Sequence, residues 1–344
     1  MRHTALSLVR PGSQRGAALL LAMLILSLVT TLAAGMLWQQ WRAVQVEAAE
    51  RARTQSAWIL AGALDWARLI LREDARSGGP DHLGEPWSVP LAEARLSTFL
   101  AADRDNNSVA EPDDVEAFLA GSITDAQSRW NLRRIVDAQG AIDAAQLRVL
   151  QRLCERSGLP GDTAQRLAEA MRKAYAPTLA GAPGVPGVGG GASAPAPVPL
   201  SESAIAPQRL ADLAWQGVDR DALRSLEPWV TLLPGVDTRV NVNTAPAEVI
   251  AAAVDGMSLS MAQRLVQERQ RRPLRDLASQ PDRSHFPADP QTNLDGVGVT
   301  SRYFIVQGRL RLGERVLEER SLVERRQNDM VVLARERVNL RDRS

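Results

Sequence analysis

Residues 13–27 read SQRGAALLLAMLILS and carry the chain from a basic leader through a single glycine into an apolar segment. No charged residue occurs from Ala17 to Trp38. At about 1.5 Å of rise per residue, a helix of this length measures roughly 33 Å, which is enough to cross the hydrocarbon core of a bilayer. The segment therefore predicts a transmembrane helix.

The residues that flank this segment predict its orientation. Arg2, Arg10 and Arg15 precede it, and Trp38 and Trp41 follow where aromatic side chains meet a membrane surface. The positive-inside rule places the basic leader in the cytoplasm. We therefore expect a single-pass protein whose C-terminal bulk lies on the other side of the membrane.

Three interpretations of this N-terminus compete. A secretory signal peptide would be cut after small residues such as Ala33-Ala34-Gly35, but the apolar run is long and continues past them. An uncleaved signal anchor fits the hydropathy equally well. The third interpretation follows from Gly16, which comes after a basic residue and immediately before the apolar run.

The composition argues against several classes of protein. A net charge of +1 over 344 residues gives no bulk attraction for nucleic acid. The single cysteine, Cys154, excludes an intramolecular disulfide, and His3, His82 and His285 are too far apart in sequence to suggest a histidine metal site. Motifs for nucleophilic, zinc or phosphate chemistry are absent, so we expect no enzyme; a two-carboxylate hydrolase stays open without positive support.

The stretch after the membrane segment predicts more helix. Residues 42–76 mix apolar and charged side chains without proline, and SGGP at 77–80 ends the pattern. The turn-rich DHLGEPWSVPL follows at 81–91, and residues 91–100 predict a further short helix.

An acidic loop, ADRDNNSVAEPDD at 102–114, is dense in oxygen ligands. Its candidate ligands approximate EF-hand spacing and are Asp103, Asp105, Asn107, Glu111 and Asp114. Ser108 replaces the usual turn glycine, and Asp114 stands where that motif has a bidentate glutamate. The loop therefore predicts either a calcium site or a solvated acidic surface.

The middle of the chain predicts a helical domain. Leu147, Leu150, Leu153 and Cys154 share one apolar stripe, which makes the cysteine a core residue. Residues 177–199 consist mainly of Gly, Pro and Ala without charge and predict a flexible linker.

Two short stretches of this domain echo each other. RWNLRRI at 129–135 resembles RVNVNTA at 239–245, which suggests two related helical units in one domain. The helical pattern already begins at Ile123 in our interpretation. In the second stretch, Asn243 or Thr244 is the expected helix cap, with Pro246 in the first turn.

The C-terminal region predicts strands. SRYFIVQGRLRL, RVLEERSLVE and DMVVLARERV alternate or are β-branched from residue 301 onward, with Gly313 and Asn328-Asp329 at the turns. Because these strands lie far along the chain from the N-terminal helix, we expect an α+β fold whose antiparallel sheet is interrupted by the helical domain.

The order of these features resembles the K class of type II secretion minor pseudopilins over essentially the whole chain. The landmarks are LGEPW at 83–87, RWNL at 129–132 and NVNTAP at 241–246. The resemblance implies a pilin-like transmembrane and amphipathic helix, a C-terminal antiparallel sheet and a large SAM-like or helix-hairpin-helix-like insertion. The implied organisation is a cleaved leader at 1–16, a transmembrane helix at 17–38, a periplasmic helix extension at 39–76, the first part of the pilin-like domain at 77–122, the inserted helical domain at 123–284 with its linker at 177–199, and the C-terminal strands at 285–344.

The resemblance also implies processing of the leader. Prepilin peptidase would cut between Gly16 and Ala17 on the cytoplasmic side, and the new N-terminus would be methylated. Most pilins have a glutamate five residues into the mature chain, where this sequence has Leu21. Since that glutamate is thought to meet the N-terminus of the subunit added before it, its absence fits a subunit with nothing above it.

The implied function is that of a tip subunit in the pseudopilus. It would form a complex with minor pseudopilins of the I and J classes, connect through the H class to the major pseudopilin, initiate assembly on the inner-membrane platform and support export across the outer membrane. The protein would sit in the bacterial inner membrane with its bulk in the periplasm. Calcium has structural roles in that family, and we expect no other cofactor.

The alternative is a membrane-anchored DNA-binding protein, because NVNTAP also resembles the helix-hairpin-helix modules of DNA-uptake receptors. Its hairpin, DGMSLS at 255–260, contains a single glycine, whereas those modules need a tight glycine-rich turn that meets phosphate. The candidate phosphate contacts are Arg264, Arg269, Arg271 and Arg272, for which a solvated helix face is the other interpretation.

Overall fold

The computed structural model describes residues 15–96, 117–180, 205–289, 292–313 and 315–338. The chain divides into two compact units, residues 1–59 and residues 60–344. Most of the predicted leader and all five calcium candidates at 103–114 lie outside the described residues.

The first helix, α1 (Arg15–Ser77), is 63 residues long and contains the predicted transmembrane segment. It is long and apolar enough to cross a membrane. All side chains from Ala17 to Trp38 are exposed, and an apolar surface of that extent needs a membrane or other apolar helices to cover it. The helix ends as SGGP predicts, because Gly78 adopts a φ of +67°, which glycine tolerates without strain.

The second unit combines strands and further helices. The strands are β1 (Leu91–Arg95), β2 (Ala117–Asp125), β3 (Trp130–Asn131), β4 (Val230–Thr231), β5 (Val240–Asn241), β6 (Val297–Gly298), β7 (Tyr303–Leu312), β8 (Arg315–Arg326) and β9 (Asp329–Val338). The helices are α2 (Ala144–Arg156), α3 (Thr163–Ala180), α4 (Arg220–Leu226), α5 (Ala247–Ala253), α6 (Leu259–Arg271) and α7 (Gln280–Arg283).

The main sheet is antiparallel, with the strand order β1-β2-β7-β8-β9. One of its faces packs against α1 from Leu60 onward. The buried contacts are made by Leu64, Ala67 and Leu71 of the helix and by Ile123, Phe304, Val306, Val323 and Met330 of the sheet. Trp87 packs edge-on against Phe304, with 5.4 Å between the ring centroids. Each such large apolar side chain contributes about 1.5–3 kcal/mol when fully buried.

The helical domain is inserted between β2 and β7, so the chain leaves the sheet at Asp125 and returns at Tyr303. Its own apolar core includes Trp130, Leu150, Leu167, Met171 and Ile250. Cys154 lies in this core, as its position on the apolar stripe predicts. Two short parallel bridges, β3 with β4 and β5 with β6, join distant parts of the insertion.

The α+β class and the C-terminal strands are confirmed. Strands β7, β8 and β9 cover the three predicted stretches, with turns at Gly313 and before Asp329. Alternation of apolar and polar residues is a local signal, and here it agrees with the tertiary structure.

Two predicted helical stretches are strands in the structure. Residues 91–95 form β1, and the segment from Ile123 continues β2 to Asp125 before a 3-10 turn at Ala126–Ser128. The pairing of β2 with β7 runs from Ala117 opposite Leu312 to Asp125 opposite Phe304. That continuous ladder outweighs the weak local preference for helix.

The predicted boundaries of the insertion shift at both ends. It begins after Asp125 rather than at 123, and it extends beyond 284 because Phe286 and Val297 lie in its core. The linker predicted to begin at 177 is also corrected, since α3 continues to Ala180. Pro177 lies in the last turn of α3, so the helix ends shortly after the proline rather than before it.

The predicted cap of α5 is wrong. The helix is preceded by Pro246, which offers no side-chain hydrogen bond, instead of by Asn243 or Thr244. Both of those side chains bind elsewhere: Asn243 exchanges hydrogen bonds with the backbone of Leu274, and Thr244 binds Asp125.

Candidate functional site

The predicted processing site lies at the start of α1. Gly16 and Ala17 belong to its first turn, and Leu21 follows one turn later with 60% of its surface exposed. The first turn contains no acidic residue, and the first acidic residue after Gly16 in the sequence is Glu47. An amine created at Ala17 would therefore find no carboxylate on its own apolar segment.

A second polar feature lies where the helical insertion meets the sheet. We call Asp81, Asp125, Asn241, Thr244 and Ser301 the junction cluster; all five side chains are buried. They come from the loop after α1, the end of β2, the segment that leads into α5, and the return to β7. The cluster therefore joins the sheet domain to the insertion at the two places where the chain passes between them.

Asp125 is the common acceptor of this cluster. Its Oδ2 accepts hydrogen bonds from Thr244 Oγ1 at 2.5 Å, from Ser301 Oγ at 2.6 Å and from Asn241 Nδ2 at 3.0 Å. Its Oδ1 accepts the backbone N–H of Gln127 at 2.7 Å and so caps the 3-10 turn that follows β2. Burial raises the pKa of Asp125 to about 6, while the hydrogen bonds from Ser301, Thr244 and Gln127 act against that rise.

Asn241 connects Asp125 with the loop that follows α1. Its Nδ2 also lies 3.1 Å from the carbonyl oxygen of Asp81 and 2.9 Å from Ser301 Oγ. Its Oδ1 accepts the backbone N–H of Asn243 at 3.0 Å. The side chain is fully buried, so its polar atoms depend on these partners.

Asp81 extends the network to the end of α1. Its Oδ2 accepts the backbone N–H of Ser301 at 2.6 Å, and its Oδ1 lies 2.8 Å from Arg325 Nη1. The other terminal nitrogen of Arg325 contacts Asp74 at 2.6 Å. Burial raises the pKa of Asp81, and the neighbouring Arg325 opposes that rise.

Three carboxylates, from Asp74, Asp81 and Glu85, lie close enough together to suggest a metal site. Protein groups already occupy them, because Arg325 binds the two aspartates. Glu85 accepts the indole N–H of Trp87 and the backbone N–H of His82, each at 2.8 Å. We therefore assign these carboxylates to an ion-pair network and no metal to them.

The two echoing sequence stretches place equivalent asparagines. Asn131 ends β3 as Asn241 ends β5, and each accepts the backbone N–H two residues further on. The Nδ2 of Asn131 donates to Gly235 O at 2.7 Å and to Thr238 Oγ1 at 2.8 Å. Each asparagine thus fixes the turn after a short parallel bridge, which is what the Arg-x-Asn-x-x echo encodes.

The arginines proposed as phosphate contacts are partly structural. Arg269 is buried, and its guanidinium donates to the carbonyl oxygens of Val242 and Ala245. Burial lowers its pKa to about 10. Arg272 pairs with the buried Asp282 at 2.9 Å. Arg264 and Arg271 are exposed, so the four do not form one phosphate-binding surface.

These features define a class of protein. An apolar helix long enough to cross a membrane, packed from Leu60 onward on an antiparallel sheet that a helical domain interrupts, makes this a pilin-like α+β protein with an N-terminal anchor and a soluble C-terminal body. Two family models described as type II secretion system (T2SS), protein K, match residues 128–235 and 240–300. Over these residues the chain is similar to the type II secretion system protein K family, in agreement with the resemblance seen in the sequence.

Two relatives are similar to this chain over most of its length and most of theirs. The type II secretion system protein K of Pectobacterium carotovorum subsp. carotovorum is 28% identical over 325 residues, covering 90% of this chain and 92% of the relative. The protein of the same name from Pseudomonas aeruginosa PAO1 is 27% identical over 315 residues, covering 88% and 86%. Both are named as secretion-system proteins rather than as enzymes, and the DNA-binding alternative gains no support from them.

A solved structure supports the fold. The structure of the GspK-GspI-GspJ complex from the type 2 secretion system of enterotoxigenic Escherichia coli contains a similar chain, with a TM-score of 0.58 and 18% identity. The match covers 85% of this chain and 98% of that one. One family model ends at residue 235 and the other begins at residue 240, so each model contains one of the two equivalent asparagines, Asn131 and Asn241.

Proposed function

We propose that this chain is a minor pseudopilin that caps the tip of a type II secretion pseudopilus, where it initiates assembly and supports protein export across the outer membrane. The observation that carries the proposal is α1, a pilin-like helix without an acidic residue between Gly16 and Glu47. A charged amine inside an apolar helical core is costly unless a carboxylate meets it. In the pilin family a neighbouring subunit supplies that carboxylate from the position that Leu21 occupies here, so a subunit placed above this one would lack a partner.

The inserted domain supports the same position. It extends from Ala126 to Arg302 between two adjacent strands of the sheet. A domain of this size is too bulky to stack repeatedly along a thin fibre, whereas the tip subunit has no successor to clash with. Adding further subunits beneath it would push the tip toward the outer-membrane channel.

The proposed partners of this chain are taken from its relatives. The related solved structure is named for a complex of GspK with GspI and GspJ. We extend that assembly to this chain, with the H class connecting it to the major pseudopilin and the inner-membrane platform driving growth. The chain would span the bacterial inner membrane once with its bulk in the periplasm, after prepilin peptidase has cut between Gly16 and Ala17 and the amine of Ala17 has been methylated. The acidic loop at 103–114 remains our predicted calcium site.

The test introduces a glutamate at position 21 and measures secretion and fibre composition. Leu21→Glu restores the acid of ordinary pilins, so the variant should enter the fibre body or misassemble, with reduced secretion and a changed subunit ratio in sheared fibres. Leu24→Glu is the matched control, because it carries the same desolvation penalty at a position without that partner. Equal secretion and equal fibre composition for Leu21→Glu and wild type would contradict the tip assignment, as would identical defects in both variants.

A further inference from the structure

Among the described residues, a small apolar group lies beside the junction cluster where the insertion meets the sheet. Ala126, Leu233 and Tyr303 form a small buried group, joined by Ile305 and Leu322, which are half-buried. Ion pairs also cross the contact, and each of them has an exposed or partly exposed arginine: Arg209 with Glu336, Arg320 with Glu227 and Arg302 with Glu324. Exposed pairs of this kind contribute at most about 1 kcal/mol. The orientation of the insertion therefore depends strongly on the buried polar contacts.

Those polar contacts converge on one carboxylate. Asp125 receives donors from three separate segments: Gln127 where the chain leaves the sheet, Asn241 and Thr244 inside the insertion, and Ser301 where the chain returns. Hydrogen bonds to an ionised acceptor are roughly twice as strong as neutral ones, and here they offset part of the larger cost of burying the charge of Asp125. Without this acceptor the donors would stay buried and lose their common partner.

We infer that Asp125 is a positioning residue whose carboxylate sets the orientation of the inserted helical domain on the sheet. The inference goes beyond the proposed function, because it concerns how two parts of one chain are held, whichever partners the chain has. Removing the acceptor should loosen the connection between the parts and leave each core folded.

The charged groups around Asp125 determine how this connection responds to pH. Asp81 lies on the adjoining loop and raises the pKa of Asp125 slightly, and Arg325 of β8 is already bound to Asp81 and to Asp74 of α1. Among the described residues, no basic side chain forms an ion pair with Asp125 itself. Its burial in the closed arrangement is therefore the main cause of its raised pKa.

The sign of the pH effect follows from that raised pKa. An open arrangement would hydrate Asp125 and return its pKa toward the ordinary value of 3.8, whereas the closed arrangement holds it at about 6. Protons therefore bind the closed arrangement more tightly, and acidification through that window favours closure. The junction should be tighter at pH 5 than at pH 7.5.

The experiment measures the distance between two spin labels on the full chain in detergent. Arg220→Cys in the insertion and Asp329→Cys on the sheet provide exposed sites. The native Cys154 is buried and its pKa is raised to about 11, so it stays unlabelled. We expect one narrow distance distribution for wild type that narrows further from pH 7.5 to pH 5, and a broader, pH-independent distribution for Asp125→Ala, which removes the acceptor.

Asp282→Ala is the matched control, because Asp282 is also a buried aspartate with several donors but binds only within the insertion. It should keep the wild-type distribution and its pH dependence. If Asp125→Ala fails to fold, Thr244→Val removes a single donor and should broaden the distribution by a smaller amount. Distributions of Asp125→Ala or Thr244→Val that coincide with wild type at both pH values would overturn the inference, and so would broadening by Asp282→Ala to the same extent.

Discussion

Replacing Asn241 with alanine should lower the free energy of unfolding of the C-terminal body. Outside the first half of the insertion, we expect no other replacement of an asparagine or glutamine by alanine to lower it as much. The change removes the partner of the buried backbone N–H of Asn243 and of the carbonyl of Asp81. It also removes one donor from the carboxylate of Asp125. Each buried backbone group left unpaired costs about 1–3 kcal/mol, and a hydrogen bond to a charged acceptor contributes about 1.5–3 kcal/mol. Since neighbouring groups relax, we expect a net loss of about 4 kcal/mol in the free energy of unfolding.

The assay is urea unfolding of the full chain in detergent, followed by tryptophan fluorescence and by circular dichroism so that a loss of cooperativity is detected. With an m value of about 2.5 kcal/mol/M, a loss of about 4 kcal/mol moves the midpoint by about 1.6 M. Asn131→Ala should have a similar effect, because Asn131 makes the equivalent contacts in the first half of the insertion. Asn293→Ala is the control: Asn293 is exposed and accepts one local hydrogen bond, so its loss should cost less than about 0.5 kcal/mol. A midpoint for Asn241→Ala within error of the Asn293→Ala midpoint would refute the reasoning.

Three further predictions concern processing, metal binding and pH. Intact mass and terminal sequencing of the membrane-extracted protein should give a chain that starts at Ala17 with a methylated amine, and Gly16→Ala should leave it uncut; a start at Met1 in wild type would contradict cleavage. Purified protein should retain calcium measurable by elemental analysis, and Asp103→Ala with Asp105→Ala should remove it; an equal calcium content in the double variant would assign the ion elsewhere or to no site. Because the pKa of Asp125 is raised from 3.8 to about 6, this one group should make the protein up to about 3 kcal/mol more stable below pH 4 than above pH 6. Asp125→Asn should remove this contribution from the profile of unfolding free energy against pH. An unchanged profile in that variant would contradict the assignment of the pH dependence to Asp125.

The positions that sequence reasoning missed share a physical cause. Strand β1 and the end of β2 from Ile123 lack a strong alternating pattern, and only pairing with a neighbouring strand makes them extended. The junction cluster has no local signal either, since Asp125 lies 116 residues from Asn241 and 176 residues from Ser301 in sequence. The one available hint was the echo between 129–135 and 239–245, which points to both asparagines without telling which groups they bind.

Local sequence signals were enough to predict four features: the apolar segment from Ala17 to Trp38, the end of α1 at the paired glycines, the apolar stripe of α2 and the three C-terminal strands. Hydropathy and periodicity are properties of neighbouring residues, so no distant contact is needed to read them. The tertiary structure alone decided where the helical domain leaves and re-enters the sheet and which carboxylate holds it there. A buried acid becomes a positioning group only when donors from distant segments surround it, and chain folding, rather than any local pattern, brings those donors together.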